Sequence, residues 1–505
     1  MLENIGMGLA LALSPLNIVI ACVGVFLGIL FGALPGFTAT MAIAVLIPVT
    51  YGMDPTQALT LLIAVYVGCM YGDAIPAILL HTPGTPGAAA TVIDGFEMTK
   101  KGRAHEAMIE AVVSSFWGAM FGVMILFLVA PPLARFSVRF GPLETFMLAI
   151  FGLTVIASLG SKNMIKALIS GVLGLLIGTV GMDRLVGFER YTFGVIYFQT
   201  GFQLVPVLIG LFSISQIFVM VSSTKTTIVE SSLLNSVKGG AFRLRDLVRY
   251  PRTYLRSSII GTIIGIIPGP GGNIASFIGY NEARRASKDQ AEFGKGCREG
   301  VAGPEAANSA ITGGALVPML SLGIPSNSVT AVLLGGLMIH GLIPGNELFT
   351  TRGNIIYGIF FGIVIANFFK LFIGLTFAKY FAIVAKAPTN VLSVVITMMC
   401  VLGAFAIANS MIDIFVMLAF GVIGYLMRRY GFDVAPMVLG MILGPIGEAG
   451  LMRGVQIYRG LEPALLMIFQ KPICLILLGL AIISLTMPLW RARQERKKAA
   501  AQQNQ

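Results

Sequence analysis

Apolar residues come in long unbroken runs, not in the alternation of a half-buried strand or the single stripe of a surface helix. The runs fall near 16–34, 57–72, 111–131, 143–160, 163–181, 202–222, 255–267, 309–322, 353–376, 390–408, 411–427 and 464–489. A bilayer core takes a helix of about 20 residues, so this pattern predicts an all-α polytopic membrane protein with about 12 spans. Glu3 and no Lys or Arg precede the first run, so that run is read as a retained span rather than a cleaved signal. Several runs are short. The short ones cluster in two zones rich in Pro and Gly, roughly 32–95 and 265–345.

The two zones repeat each other. The first holds Leu34-Pro35-Gly36 and later Ile75-Pro76, with Pro83 seven residues on; the second holds Ile267-Pro268-Gly269 and later Val317-Pro318, with Pro325 seven residues on. Each therefore offers two interruptions of an apolar stretch, in the same order, and four further apolar runs follow each zone. The expected organisation is a first membrane repeat over 1–224, a basic linker over 225–250, a second membrane repeat over 251–490 and a basic tail over 491–505.

Charge adds orientation. Lys225, Lys238, Arg243, Arg245, Arg249, Arg252 and Arg256 crowd the linker region, which marks it as cytoplasmic. Lys100, Lys101 and Arg103 fall on the same side by span parity, whereas the matching loop of the second half keeps only Arg352. Conversely, 50–57 has no Lys or Arg, while its counterpart carries Arg284, Arg285, Lys288, Lys295 and Arg298. The basic bias changes sides between the halves, as expected of inverted-topology repeats with paired broken or re-entrant helices. The same count places the tail, and so the C-terminus, in the cytoplasm.

Composition narrows the function class. Of 505 residues, 56% are hydrophobic and 11% charged, against roughly 25% charged in a soluble domain; mean hydropathy is +0.86. A soluble enzyme and a nucleic-acid binder are excluded, and the net charge of +12 belongs to loops facing an anionic leaflet. The five cysteines form no CxxC pair, and His81, His105 and His340 are widely spaced, so neither a disulfide framework nor a His-based metal site is expected. No GxSxG, HExxH or Walker A pattern is present; no enzyme activity and no cofactor are expected.

The chemistry is expected at the breaks. Backbone groups freed inside hydrocarbon cost several kcal/mol each unless they are buried in protein or line a wet cavity. Matched breaks are therefore the pointer to a substrate site, with half-helix N-termini suited to a carboxylate and freed carbonyls to Na⁺. The candidate substrate-binding residues are Thr38, Thr40, Thr82, Pro83, Gly84, Thr85, Gly271, Gly272, Asn273, Ser276, Pro325, Ser326, Asn327 and Ser328. Each polar one could equally cap a broken helix. Asp73, Glu305 and Asn308 are candidates for coupling an ion, Na⁺ or H⁺; for Glu305 simple helix-end electrostatics is the equal alternative. Asp94 and Asp413 are read equally as functional or interfacial, and His81 as a hydrogen-bonded break residue before a proton carrier.

In order along the chain, Leu34-Pro35-Gly36, Ile47-Pro48-Val49-Thr50-Tyr51-Gly52, Tyr71-Gly72, Ile75-Pro76-Ala77-Ile78-Leu79-Leu80, Thr82-Pro83-Gly84-Thr85-Pro86, Asp94-Gly95, Pro268-Gly269-Pro270-Gly271-Gly272, Phe293-Gly294-Lys295-Gly296, Glu299-Gly300-Val301-Ala302, Pro304-Glu305-Ala306-Ala307-Asn308 and Leu322-Gly323-Ile324-Pro325 resemble the large membrane subunit of tripartite tricarboxylate transporters. The resemblance implies a permease of the bacterial inner membrane, importing a small organic carboxylate under an ion gradient. It implies two partners, a small membrane subunit and an extracytoplasmic solute-binding protein. Asp73-Ala74, His81, Ser309 and Ser326-Asn327 depart from the family pattern and leave substrate and coupling ion open. An elevator-like motion fits the paired breaks. The alternative is a passive channel or facilitator for small anions.

Overall fold

The computed structural model describes residues 2–34, 36–159, 164–183, 187–222, 242–267, 271–384 and 389–486. Pro35, Pro268, Gly269, the linker up to residue 241 and the tail from 487 lie outside the described residues, as does the side chain of Asn273.

The described chain is almost wholly helical. Its helices are α1 Leu2–Ala12, α2 Pro15–Gly32, α3 Ala39–Leu46, α4 Pro55–Gly72, α5 Ala74–Leu80, α6 Thr91–Lys100, α7 Ala104–Ser137, α8 Pro142–Leu159, α9 Met164–Gly178, α10 Ile196–Gln199 and α11 Leu204–Ser222. There follow α12 Pro251–Ile266, α13 Gly271–Ala286, α14 Glu299–Leu322, α15 Ser328–Ile339, α16 Asn346–Thr350, α17 Gly353–Val384, α18 Thr389–Ala408, α19 Met411–Arg429, α20 Ala435–Ile457, α21 Leu461–Ile468 and α22 Pro472–Thr486. Among the described residues, 7 helices are long and apolar enough to cross a membrane, and the chain is that of a multi-pass membrane protein. Six of them fall on the predicted runs. The seventh, α20, does not: Pro436, Pro445, Glu448 and Arg453 interrupt its apolar pattern. The predicted run 464–489 is bent by 77° between α21 and α22.

The chain divides into two compact units that cut across the sequence halves. Unit 1 holds Met1–Arg135 and Leu208–Val422; unit 2 holds Phe136–Val207 and Ile423–Gln505.

Unit 1 is built on two close helix pairs, α2 with α4 and α12 with α14. Small residues make this approach possible where lipid gives no hydrophobic drive between helices. Gly24, Gly28 and Gly32 of α2 face Ala64, Gly68 and Gly72 of α4; a Cβ on Gly68 or Gly72 would come within 2.9 Å of the Cα of Gly28 or Gly32. In the second pair, a Cβ on Gly265 would meet Ile311 and Ala315 of α14 at 3.1 Å. α17 packs on α2 and α4, while α7 packs on α14, Gly118 lying against Ala306 and Gly122 against Ala310.

In unit 2, α20 packs on α8 and α9. A short antiparallel pairing joins Gly181–Met182 to Glu189–Arg190. Arg190 there makes ion pairs to Asp183 and to Glu448.

Candidate functional site

Two helix breaks in unit 1 share one backbone design. α5 ends at His81, whose φ is 56°, and the Thr82 amide turns back to the Pro76 carbonyl at 3.3 Å. α14 ends at Gly323, with φ 72°, and the Ile324 amide turns back to the Pro318 carbonyl, again at 3.3 Å. These residues hold the same places in Pro76–Pro83 and Pro318–Pro325. Glycine takes the left-handed conformation freely; a side chain there costs roughly 1–2 kcal/mol. His81 bears that cost, and its exposed ring meets Phe96 edge-on at 4.8 Å between centroids.

The breaks are reached crosswise by the other half of the sequence. The turn Pro86–Ala88, just after the first break, packs on α13 and α14, whereas α15, just after the second, packs on α3 and α4. Thr40 of α3 and Ser328 of α15 meet hydroxyl to hydroxyl at 3.1 Å. Asn327 caps α15: its Oδ1 accepts the Thr330 amide at 2.9 Å, and the Thr330 hydroxyl accepts the amides of Ser326 and Asn327, each at 3.1 Å. The Asn327 side-chain amide also donates to the Tyr66 hydroxyl of α4 at 3.4 Å. Thr38 serves as the N-cap of α3, accepting the Met41 amide at 3.4 Å. Gly271 and Gly272 open α13, and Ser276 is buried along it. Pro83 is exposed and Pro325 buried. The hydroxyls of Thr82 and Ser326, equally buried, have no hydrogen-bond partner.

The first break carries an acid. Asp73, between α4 and α5, is fully buried. Its Oδ2 accepts the Thr85 hydroxyl, and its carbonyl accepts the Gly84 amide at 3.3 Å. A Cβ on Gly84 would press on the Gly32 carbonyl at 2.8 Å and on the Asp73 Cα at 2.9 Å, so Gly84 fits the turn over the aspartate only because it has no side chain. Asn308 of α14 comes near the same place: a Cβ on Gly87 would press on its Oδ1 and lie 3.3 Å from the Thr85 hydroxyl. One turn earlier on α14, Glu305 is also fully buried; its Oε1 accepts the Thr91 hydroxyl at 2.5 Å. Asp73 Oδ1, Glu305 Oε2, the Tyr71 hydroxyl and Asn308 Nδ2 are buried without a hydrogen-bond partner. Buried polar atoms are nearly always satisfied, so these orphans around two carboxylates make this spot a candidate for a small guest. Oxygen ligands and negative charge suit a hard monovalent cation or a proton. Among the described residues, no cluster of three or more His, Cys, Asp and Glu side chains could hold a metal ion.

Sequence reasoning passes over a third charge. Lys370 lies in the middle of α17, fully buried, and its ammonium donates to the Ser115 carbonyl of α7 at 3.1 Å. The Ser115 hydroxyl in turn meets that of Ser309 at 2.7 Å, next to Asn308. The one signal for it is a lone cation, near Asn367, inside a long apolar run.

Two further clusters fasten the ends of the helices. Asp94 of α6 is buried and fully used: Oδ1 accepts the amides of Gly294, Gly296 and Cys297 at 2.8–2.9 Å, and Oδ2 accepts the Tyr280 hydroxyl at 2.8 Å. Gly294 and Gly296 have φ of 82° and 88°, which explains the Phe293-Gly294-Lys295-Gly296 motif as a cradle for this carboxylate. Glu110 of α7 pairs with Arg298 at 2.7 Å and accepts the Tyr254 hydroxyl at 2.7 Å. Arg298 reaches Asp246 at 3.0 Å. Burial raises the Asp246 carboxyl, but the Arg243 amide and the guanidinium groups of Arg298 and Arg249 outweigh it and hold the carboxyl below its ordinary range.

A protein of Agrobacterium vitis named "Uncharacterized 52.8 kDa protein in TAR-I ttuC' 3'region" is 34% identical over 460 residues, covering 91% of this chain and 91% of its own. A second from the same organism, "Uncharacterized protein in TAR-II ttuC' 3'region", is 33% identical over 229 residues, 45% of this chain and 93% of its own. No solved structure matches. The family described as "Tripartite tricarboxylate transporter TctA family", one of transporter components working with other subunits, matches residues 18–439. Together, the match over most of the chain and the long relative establish that this protein belongs to the tripartite tricarboxylate transporter TctA family.

Proposed function

We propose that this chain is the large membrane subunit of an ion-gradient-driven importer of a small organic carboxylate, in the bacterial inner membrane with its C-terminus in the cytoplasm. A small membrane subunit completes the membrane part, and an extracytoplasmic binding protein delivers the substrate. The two halves of the sequence are inverted-topology repeats of about 12 spans in all. Unit 1 carries the site and moves in an elevator-like fashion. The substrate carboxylate sits at the second break, against the N-terminus of α15 and the Thr40, Ser326, Asn327 and Ser328 side chains. The coupling ion, Na⁺ or H⁺, sits at Asp73, Glu305 and Asn308.

The observation that carries this reading is the duplicated break: the same left-handed turn at His81 and Gly323, with the same backbone bond behind it, beside orphaned buried oxygens. Breaks of this kind inside an apolar bundle are tolerated where they build a site. The test is uptake into proteoliposomes holding both membrane subunits, with loaded binding protein outside. A Na⁺ or H⁺ gradient should drive accumulation, and collapsing both should stop it. Flux that only equalises concentrations, with no need of the binding protein, would instead identify a passive facilitator.

A further inference from the structure

Unit 1 buries three ionisable side chains within one network, and their charges do not cancel. Asp73 and Glu305 are fully buried, and so is Lys370. Lys370 rests its ammonium on the Ser115 carbonyl rather than on a carboxylate, yet it lies close enough to Glu305 to act on it electrostatically, as Asp73 does. Hydrogen bonds run from Lys370 to Ser115 and from Ser115 to Ser309; Ser309 shares α14 with Asn308 and Glu305, and Gly87 lies against both the Asn308 Oδ1 and the Thr85 hydroxyl that Asp73 accepts. Tyr66, Cys69 and Tyr71 of α4 also face this network; all are weak acids, neutral near pH 7. Glu110 of α7 pairs with Arg298 at 2.7 Å, and Arg298 also reaches Asp246 at 3.0 Å.

With all three groups ionised, two carboxylates stand against one ammonium. One negative charge is left over in the buried interior, where an uncompensated charge is strongly disfavoured. The acceptors left without donors are one oxygen on each carboxylate. We propose that one monovalent cation, a proton or a sodium ion, completes the Asp73–Glu305–Lys370 cluster, and that Lys370 is a built-in counter-ion that limits the site to one such cation. A divalent ion would overshoot the charge. The inference rests on Asp73 and Glu305 being the ion-coupling residues. Its test uses no substrate and no binding protein, so it can fail while uptake succeeds, and the reverse.

The experiment follows the unfolding midpoint of the purified full chain in detergent. One arm varies NaCl against choline chloride at constant ionic strength. The other varies pH above about 5, where unfolded carboxylates are already ionised. The dependence of stability on the logarithm of cation activity counts the cations taken up on folding. The wild type should show one, in the sodium arm if the ion is Na⁺ and in the pH arm if it is a proton. Glu305→Gln should abolish it, Lys370→Met should raise it to two, and the Glu305→Gln/Lys370→Met double variant should return it to one. If Lys370→Met does not fold, folding of the double variant with a dependence of one still supports the assignment. Equal dependence in the wild type and Glu305→Gln, or no dependence in either arm, overturns it.

Discussion

The two helix breaks of unit 1 have the same backbone and opposite chemistry. At the first, the turn past His81 brings Thr85 and Gly84 onto Asp73, a carboxylate that repels anions and invites a cation. At the second, the equivalent turn past Gly323 brings neutral Ser326 and Asn327 to the N-terminus of α15, whose free amides and partial positive charge suit an anion. On the proposed reading, the two turns are copies of one device, and the divergence of a few side chains gives one copy to the ion and the other to the carboxylate.

The largest expected effect strikes the frame common to both copies. Gly68→Leu would drive a side chain into the α2 backbone, where a Cβ alone reaches 2.9 Å from the Gly28 Cα. Overpacking of this kind costs roughly 3 kcal/mol or more because backbone, not a side-chain tip, must yield. Folded protein in size-exclusion chromatography should be lost; a normal yield and melting curve would show the pair is looser than described.

Next come the two chemistries separately. Asn327→Ala removes the α15 cap, costing roughly 0.5–2 kcal/mol of stability, and, on the proposed reading, a polar substrate contact. Its apparent substrate affinity in uptake assays should fall about tenfold or more. An unchanged affinity would move the carboxylate away from the second break.

The smallest effect tests the equivalence of the turns. His81→Gly should stabilise the chain by about 1 kcal/mol, and Gly323→His should destabilise it by a similar amount, since each exchanges strain at the same left-handed position. Thermal unfolding in detergent reads both; shifts of the same sign would contradict a shared backbone design.

How far the sequence announces this arrangement varies by region. The breaks are legible because Pro and Gly leave a local mark, and Asp73 and Glu305 because a carboxylate within an apolar context stands out. Only coordinates show that Thr40 meets Ser328 and that each break is served by the opposite half of the sequence. Lys370 is hidden by averaging: as the one charged residue in the run 353–376, it leaves that run looking like an ordinary span. α20 is hidden by the opposite effect, its prolines and charges masking a helix that packing on α8 and α9 holds together. Asp94 reads equally as functional or interfacial because nothing local reveals that the amides of residues 294–297, some 200 positions away, will close around it.

The division of labour between the breaks is tested most directly by measuring uptake in proteoliposomes as a function of both substrate and cation, for Asp73→Asn and Asn327→Ala side by side. The account predicts that Asp73→Asn changes the dependence on Na⁺ or pH while leaving the half-saturating substrate concentration near the wild-type value, and that Asn327→Ala does the reverse. Both variants shifting the same parameter, with the other untouched, would contradict it.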